Sequence, residues 1–405
     1  MGYFKERMME SDPNDPFSEP DRGNLFNLTH INNKDLQSKL AGYAKVGLCG
    51  YDGSQGWVVD MADFVRIVKQ VVYTHFKRLD DGNFYLASSF YDNNDEVIPG
   101  YCKLGQYIVP NSMLYYANTE KMLVGIDALT DDDKLNADIK SYFPENVWIQ
   151  ESDVSMTQQQ ELQFSWSNFS TMVKSKRRFT FFVDPNFDNP STSENGLNDI
   201  LSELSDIVKK SGCVKTIKSG RTIYRSRQLK RKTDGTNFRF KDLTSPPNLL
   251  AGENRMNPAG ISMFYGADSE ILSMLETSNN HDGKGCFAIG EFETIKDLVI
   301  VDLTNLQPAS IWSCEKDDFN RRNFLYDFSK EISLPLGDRS ASIEYVPTQI
   351  FAEYLRYVFK TDNSNKLDGV MYKSSLSNGN DIVLFYDNET SSKVLKLNNK
   401  NVIIK

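Results

Sequence analysis

Histidine is scarce: the chain has three in 405 residues, His30, His75 and His281. Their spacings build no catalytic cluster, and no arginine lies four to six residues ahead of any of them. That removes the ribonuclease motif of small helical nuclease domains. There is no Gly-x-Ser-x-Gly turn, so a Ser-His-Asp hydrolase lacks its nucleophile elbow. Cysteine is sparse and odd in number, with Cys49, Cys102, Cys213, Cys286 and Cys314 scattered along the chain. Reduced thiols in a cytosol are the expectation. No apolar run approaches the roughly 18 residues that cross a bilayer. The start, Met1 to Arg7, is charged and has no apolar signal core. Glu6 stands where a myristoylation signal needs Ser or Thr. A basic excess is missing too: the formal charge of −9 argues against general affinity for nucleic acid or anionic membrane. A soluble, cytoplasmic protein is expected.

What is present is ample apolar material, 40% hydrophobic and 12% aromatic residues. A chain this long divides into two or three domains. Residues 1–40 read as a polar arm. Residues 41–212 read as a mostly helical domain, 213–390 as a β-rich domain with helices, and 391–405 as a tail. After Asp60, residues Met61, Phe64, Val65, Val68, Val71, Val72 and Phe76 recur at helical spacing. Residues 157–182 read as helical and then apolar, and 184–195 as loop. A second amphipathic helix over 197–210 carries Ile200, Leu201, Leu204, Ile207 and Val208, and Gly212 stops it. Beyond it lie short β-rich runs at 214–217, 222–225, 287–292, 298–303, 370–372 and 382–386. A helical region spans 318–331, and a helix starts at Pro347, which suits a first helical turn. Val402 to Ile404 offer an edge strand. No internal repeat is visible. The fold class is α+β.

The richest stretch runs from Arg255 to Glu276. It places a cation, aromatic faces and a carboxylate in one strand-turn-helix unit. Asp268 or Ser269 offers its N-cap, and Ile271, Leu272 and Leu275 its apolar side. The segment 209–232 is basic, with Arg221, Arg225, Arg227, Lys230, Arg231 and Lys232. Tyr224 and Arg225 alternate on a strand, so one of them points into the domain. An inward arginine needs an anionic partner, for which a ligand phosphate is a candidate. Cys49-Gly-Tyr-Asp52-Gly looks like half a metal knuckle, but no His or Cys pair completes four zinc ligands. Ser191-Thr-Ser-Glu194 sits in a polar loop and reads as coincidence. Asp368-Gly-Val-Met-Tyr372-Lys-Ser374-Ser375 ends a strand in two hydroxyls at a sheet rim.

In order along the chain stand Tyr224-Arg225-x-Arg227, Arg255-Met-Asn-Pro-x-Gly260, Tyr265-Gly-Ala and Glu276. Val346-Pro-Thr-Gln349 and Gly369-x-x-Tyr372-x-Ser374-Ser375 complete the series. This order resembles the RES domain, the toxin family of bacterial RES–Xre toxin–antitoxin pairs, over roughly residues 214–387. The upstream half is similar to the HEPN/RES amino-terminal region of longer members. Three departures stand out. Asp52 replaces a second cysteine, Asp381 occupies a position where relatives tend to carry Asn, and Lys373 replaces a common Pro. The first puts a metal role at Cys49 in doubt; the others would weaken the site.

The resemblance implies an ADP-ribosyltransferase-like fold and action on NAD as substrate, with no metal expected. Cleavage at the nicotinamide–ribose bond builds oxocarbenium-like charge. On this view Glu276 stabilises that charge, Arg255 and Arg225 clamp the diphosphate, and Ser374 bonds nicotinamide or ribose. Tyr265 and Tyr224 offer ring faces, and Arg227 and Ser375 are further NAD-binding candidates. The leading expectation is a toxin or defence effector that depletes NAD. Alternatives are an ADP-ribosyltransferase with a protein or nucleic-acid target, and a non-catalytic NAD- or partner-binding module. A protein antitoxin or regulatory sensor is an expected partner. Dimerisation through the amino-terminal half is a further expectation.

Overall fold

The computed structural model describes residues 23–78, 84–85, 90–91, 97–98, 101–104, 107–110, 116–150, 157–180, 199–230, 238–278, 284–313, 315–334, 341–362 and 365–404. Several expectations fall outside these residues. They include most of the polar arm, the 184–195 loop, Ser191 to Glu194, Arg231, Lys232, His281 and Cys314.

By packing, the chain forms two compact units. One comprises residues 1–159 and 309–320, the other 160–308 and 321–405. In the first, strand β1 (Leu25–Asn27) pairs with β3 (Gln55–Asp60), which also pairs with β2 (Lys45–Leu48). Helix α1 (Lys34–Leu40) lies between β1 and β2 in sequence. Helix α2 (Met61–His75) begins at Asp60, whose carboxylate accepts from the Ala62 amide. Its Met61, Phe64, Val65, Val68, Val71 and Val72 are buried, as the helical spacing predicts. A second three-stranded sheet joins β4 (Phe76–Arg78), β5 (Tyr116–Asn118) and β6 (Val147–Gln150). Helices α3 (Thr119–Gly125) and α4 (Asp133–Ser141) separate the last two strands. Trp312 is buried in this core and its indole donates to the Ile126 carbonyl at 2.8 Å. The small sheets are absent from the sequence reading, because strands this short carry too few residues to show alternation.

The second unit is built on one eight-stranded mixed sheet. Its strands are β7 (Val214–Ile217), β8 (Thr222–Leu229), β9 (Phe264–Ala267), β10 (Cys286–Thr294), β11 (Leu298–Asp302), β12 (Gly369–Lys373), β13 (Asn380–Leu384) and β14 (Leu395–Ile404). They lie side by side as β7-β11-β12-β13-β9-β8-β10-β14. Only the β11–β12 pair is parallel among the described residues. The segment read as a tail thus supplies an edge strand, β14.

Both faces of the central strands are covered. Ile382 and Leu384 join one apolar cluster with Ile223, Phe264 and Phe292, while Val383 and Phe385 join another. That is why residues 382–385 are continuously apolar rather than alternating. The second cluster takes side chains from α5 (Gln158–Ser175), α6 (Asp199–Lys210), α9 (Lys316–Ser333) and α10 (Val346–Tyr357). Two short helices, α7 (Phe240–Leu243) and α8 (Glu270–Thr277), follow β8 and β9 respectively in sequence. Helices α5 and α6 precede residue 212 yet pack with the large sheet. The change of composition at 212 and the division by contacts at 159/160 therefore mark different things.

Candidate active site

Strand β8 alternates as its sequence suggests. Ile223, Arg225 and Arg227 face the side of α7, whereas Tyr224 and Ser226 face α8. Arg225 is the inward cation. Its Nε donates to the Thr244 carbonyl at 3.2 Å and its Nη1 to the Tyr265 carbonyl at 2.6 Å. The guanidinium also stands 5.7 Å from the Phe264 ring centre. Loss of water around it pulls its pKa down to about 10. It remains cationic at neutral pH. Among the described residues no carboxylate pairs with it, so carbonyl dipoles and the Phe264 ring hold its charge.

Arg255 sits in the Asn254–Asn257 turn. Its Nη2 donates to the Leu334 carbonyl at 2.6 Å, and its guanidinium lies 5.1 Å from the Tyr345 ring centre. The turn is pinned from behind by the start of α10. Thr348 Oγ1 donates to the Arg255 carbonyl at 2.7 Å. Gln349 Nε2 donates to the carbonyls of Asn254 and Asn257 at 2.9 and 3.1 Å. This is the structural task of the Val346-Pro-Thr-Gln349 motif. Asn257 in turn accepts from the Tyr265 hydroxyl at 2.6 Å and holds that ring in place. Gly266 follows because a Cβ there would stand 2.4 Å from Ile223 Cγ2.

Glu276 ends α8, which is fastened to β8 by a buried hydroxyl pair, Ser226 to Ser273 at 2.6 Å. Glu276 is exposed as a residue, but its carboxylate is not loose: Ser374 Oγ donates to Oε1 at 2.6 Å. Asp381 is the second carboxyl of the cleft. Strand register puts it opposite Ala267 on β9 and Tyr372 on β12. Burial, then the Glu276 charge and a hydrogen bond to Glu276, push the Asp381 carboxyl far above the usual carboxylate range, to about 8. The charge of Asp268 adds to this and that of Arg255 opposes it. Burial beside Glu276 thus favours the protonated form of Asp381, which would donate toward Glu276.

Tyr224, Arg225, Arg255, Tyr265, Glu276 and Ser375 line one cavity of about 450 Å³. That lies within the range of small-molecule sites, roughly 300–1,000 Å³. Ser374 is buried, with its hydroxyl committed to Glu276. Arg227 is exposed, bonds the Asp242 carbonyl at 3.1 Å and does not line this cavity. Tyr372, Tyr345 and Asp381 line it as well, although the sequence reading names none of them as site residues. For Asp381 a signal exists: it is an acid entering an otherwise apolar strand.

The arrangement combines carbonyl-held cations, tyrosine rings and a carboxyl pair in one cleft of a mixed sheet. It defines an α+β protein with a site suited to an anionic ligand that carries an aromatic group. Residues 222–398 match the RES domain, and residues 44–187 match HEPN/RES N-terminal domain 1. The chain is a RES-domain protein with a HEPN/RES amino-terminal domain. Among solved structures, a chain from the M. tuberculosis MbcT–MbcA toxin–antitoxin complex is similar at 17% identity. That match covers 50% of this chain and 92% of the other, with a TM-score of 0.30. A search of the curated proteins finds no match. Among the described residues, no helix is long and apolar enough to cross a membrane.

Proposed function

We propose that the protein cleaves NAD at the nicotinamide–ribose bond and acts as a toxin or defence effector by depleting it. The observation that carries this reading is the grouping of Arg225, Arg255, Tyr265 and Glu276 around one cavity. The RES-domain match supports the toxin role, and the resemblance to that family motivates NAD as the substrate. The two guanidiniums pair with the diphosphate, because arginine forks match phosphate oxygens and neither has a carboxylate salt-bridge partner among the described residues. A tyrosine ring face takes the nicotinamide. Glu276 faces the ribose, holds its hydroxyls and stabilises the charge that builds as nicotinamide leaves. Ser374 orients Glu276 rather than contacting the nicotinamide, since its proton is already directed at Oε1. Asp381 keeps a second negative charge away from that carboxylate while supplying a hydrogen bond.

The test is incubation of the full chain with NAD, following released nicotinamide and the ADP-ribose product. Glu276→Gln keeps the shape but removes the charge, and should lower nicotinamide release by about a hundred- to a thousandfold. A folded wild-type protein that releases no nicotinamide would sink the proposal. Label from NAD appearing on a macromolecule, with no free ADP-ribose, would shift the reading to transfer.

A further inference from the structure

We infer that His30, Cys49 and Asp52 form a binding site for one zinc-class divalent cation in the amino-terminal unit. The three residues offer a nitrogen, a sulfur and an oxygen ligand that all lie within 4.8 Å of one another. His30 Nε2 stands 3.7 Å from Cys49 Sγ and 3.2 Å from Asp52 Oδ2. Zinc bonds of roughly 2.0–2.3 Å at tetrahedral angles place neighbouring donor atoms roughly 3.3–3.7 Å apart. The two separations from His30 are therefore close to the edges of a tetrahedron around a shared ion, and the third, between Cys49 and Asp52, is within 4.8 Å. A thiolate, an imidazole and a carboxylate also form a donor set that suits zinc.

The local backbone is built to present these atoms. Cys49 and Asp52 lie in the turn joining β2 to β3, where the Cys49 amide donates to the Ser54 carbonyl at 2.8 Å and the Gly53 amide to the Cys49 carbonyl at 3.0 Å. Gly53 takes a φ of 69°, which tightens the turn at no side-chain cost. Asp52 divides its two oxygens between tasks. Oδ1 accepts from the Ser54 amide at 2.8 Å and from the Ser54 hydroxyl at 2.7 Å, leaving Oδ2 directed at His30. A partner that fixes a ligand's orientation in this way is usual around metal sites. Cys49 is buried, whereas Asp52 is exposed, so solvent would supply a fourth ligand. The sequence reading left Cys49 without companions because its histidine lies 19 residues upstream. The fold closes that separation by pairing β1 with β3.

Binding replaces the Cys49 S–H bond by a metal–sulfur bond and releases one proton to solvent, with no change of oxidation state. The ion would tie the segment after β1 to the β2–β3 turn. The test uses the full chain, stripped with a chelator and titrated with cobalt(II) and then zinc(II). About one cobalt per chain should bind, with a thiolate-to-metal charge-transfer band and intense tetrahedral bands that zinc abolishes. Cys49→Ser should lose the charge-transfer band. Asp52→Asn, at an exposed position, should leave the fold intact and weaken zinc binding about ten- to a hundredfold. A wild-type chain that binds no ion, or a Cys49→Ser chain that binds as tightly as wild type, would overturn the site. In that case the three groups are only an ion pair with a neighbouring thiol. Neither outcome bears on nicotinamide release at the cleft of the other unit.

Discussion

At the scale of single residues, Asp381 is the least expected member of the cleft. In the sequence it reads as a departure that weakens the site. Its surroundings give another account: burial beside Glu276 favours the protonated acid, which would donate a hydrogen bond much as an asparagine does. The two differ in their response to pH. The unfolded chain gives up the Asp381 proton near pH 4, whereas the folded chain keeps it to about pH 8. Between those values the unfolded state binds fewer protons, so stability falls as pH rises through that window. Asp381→Asn should therefore match wild type at pH 4 and exceed it at pH 8, by on the order of 2 kcal/mol after allowing for coupling to Glu276. Denaturant melts at the two pH values decide this, and equal gaps at both would rule it out. In the NAD assay, wild-type activity should decline above pH 8 as a second charge forms beside Glu276. The Asn variant should stay flat.

At the scale of elements, the cleft depends on α10 as much as on the strands that carry its reactive groups. Gln349 touches no ligand in the proposed mechanism, yet it holds two carbonyls of the turn that presents Arg255. Gln349→Ala removes both bonds and should raise KM for NAD by roughly tenfold while changing kcat less, because it loosens a ground-state clamp. A fall in kcat alone would point to a role near Glu276 instead. Much of this was legible in residue order. The apolar runs at 298–302 and 382–385 are buried strands, and the helical spacing after Asp60 is a buried helix face. Arg225, Arg255, Tyr265 and Glu276 line one cavity, whereas Arg227 lies outside it. What escaped depends on register and side-chain direction. Nothing local says that Arg225 is satisfied by carbonyls, that Ser374 turns to Glu276, or that β13 delivers Asp381 between Ala267 and Tyr372. His30 likewise meets Cys49 only through strand pairing.

At the scale of the whole molecule, the composition change at residue 212 invites the idea that the β-rich part can stand alone. The packing argues otherwise. Phe169, Val173, Ile200, Leu201, Leu204 and Val208 are all buried in the cluster that also holds Val301, Phe328, Val370 and Val383. Fully burying a side chain of this kind contributes roughly 1.5–3 kcal/mol. Losing these from a shared core would remove on the order of 10 kcal/mol, comparable with the entire stability of an ordinary domain. It would also leave one apolar face of the large sheet open to water, a surface that promotes association. A fragment covering residues 213–405 should therefore show no cooperative thermal transition and should aggregate, although it contains every residue that lines the cleft. Restoring residues 157–212 supplies the missing face, so the full chain should melt cooperatively under the same conditions. If the short fragment instead unfolds cooperatively within a few degrees of the full chain, α5 and α6 contribute little to the core. The boundary would then lie where the composition changes.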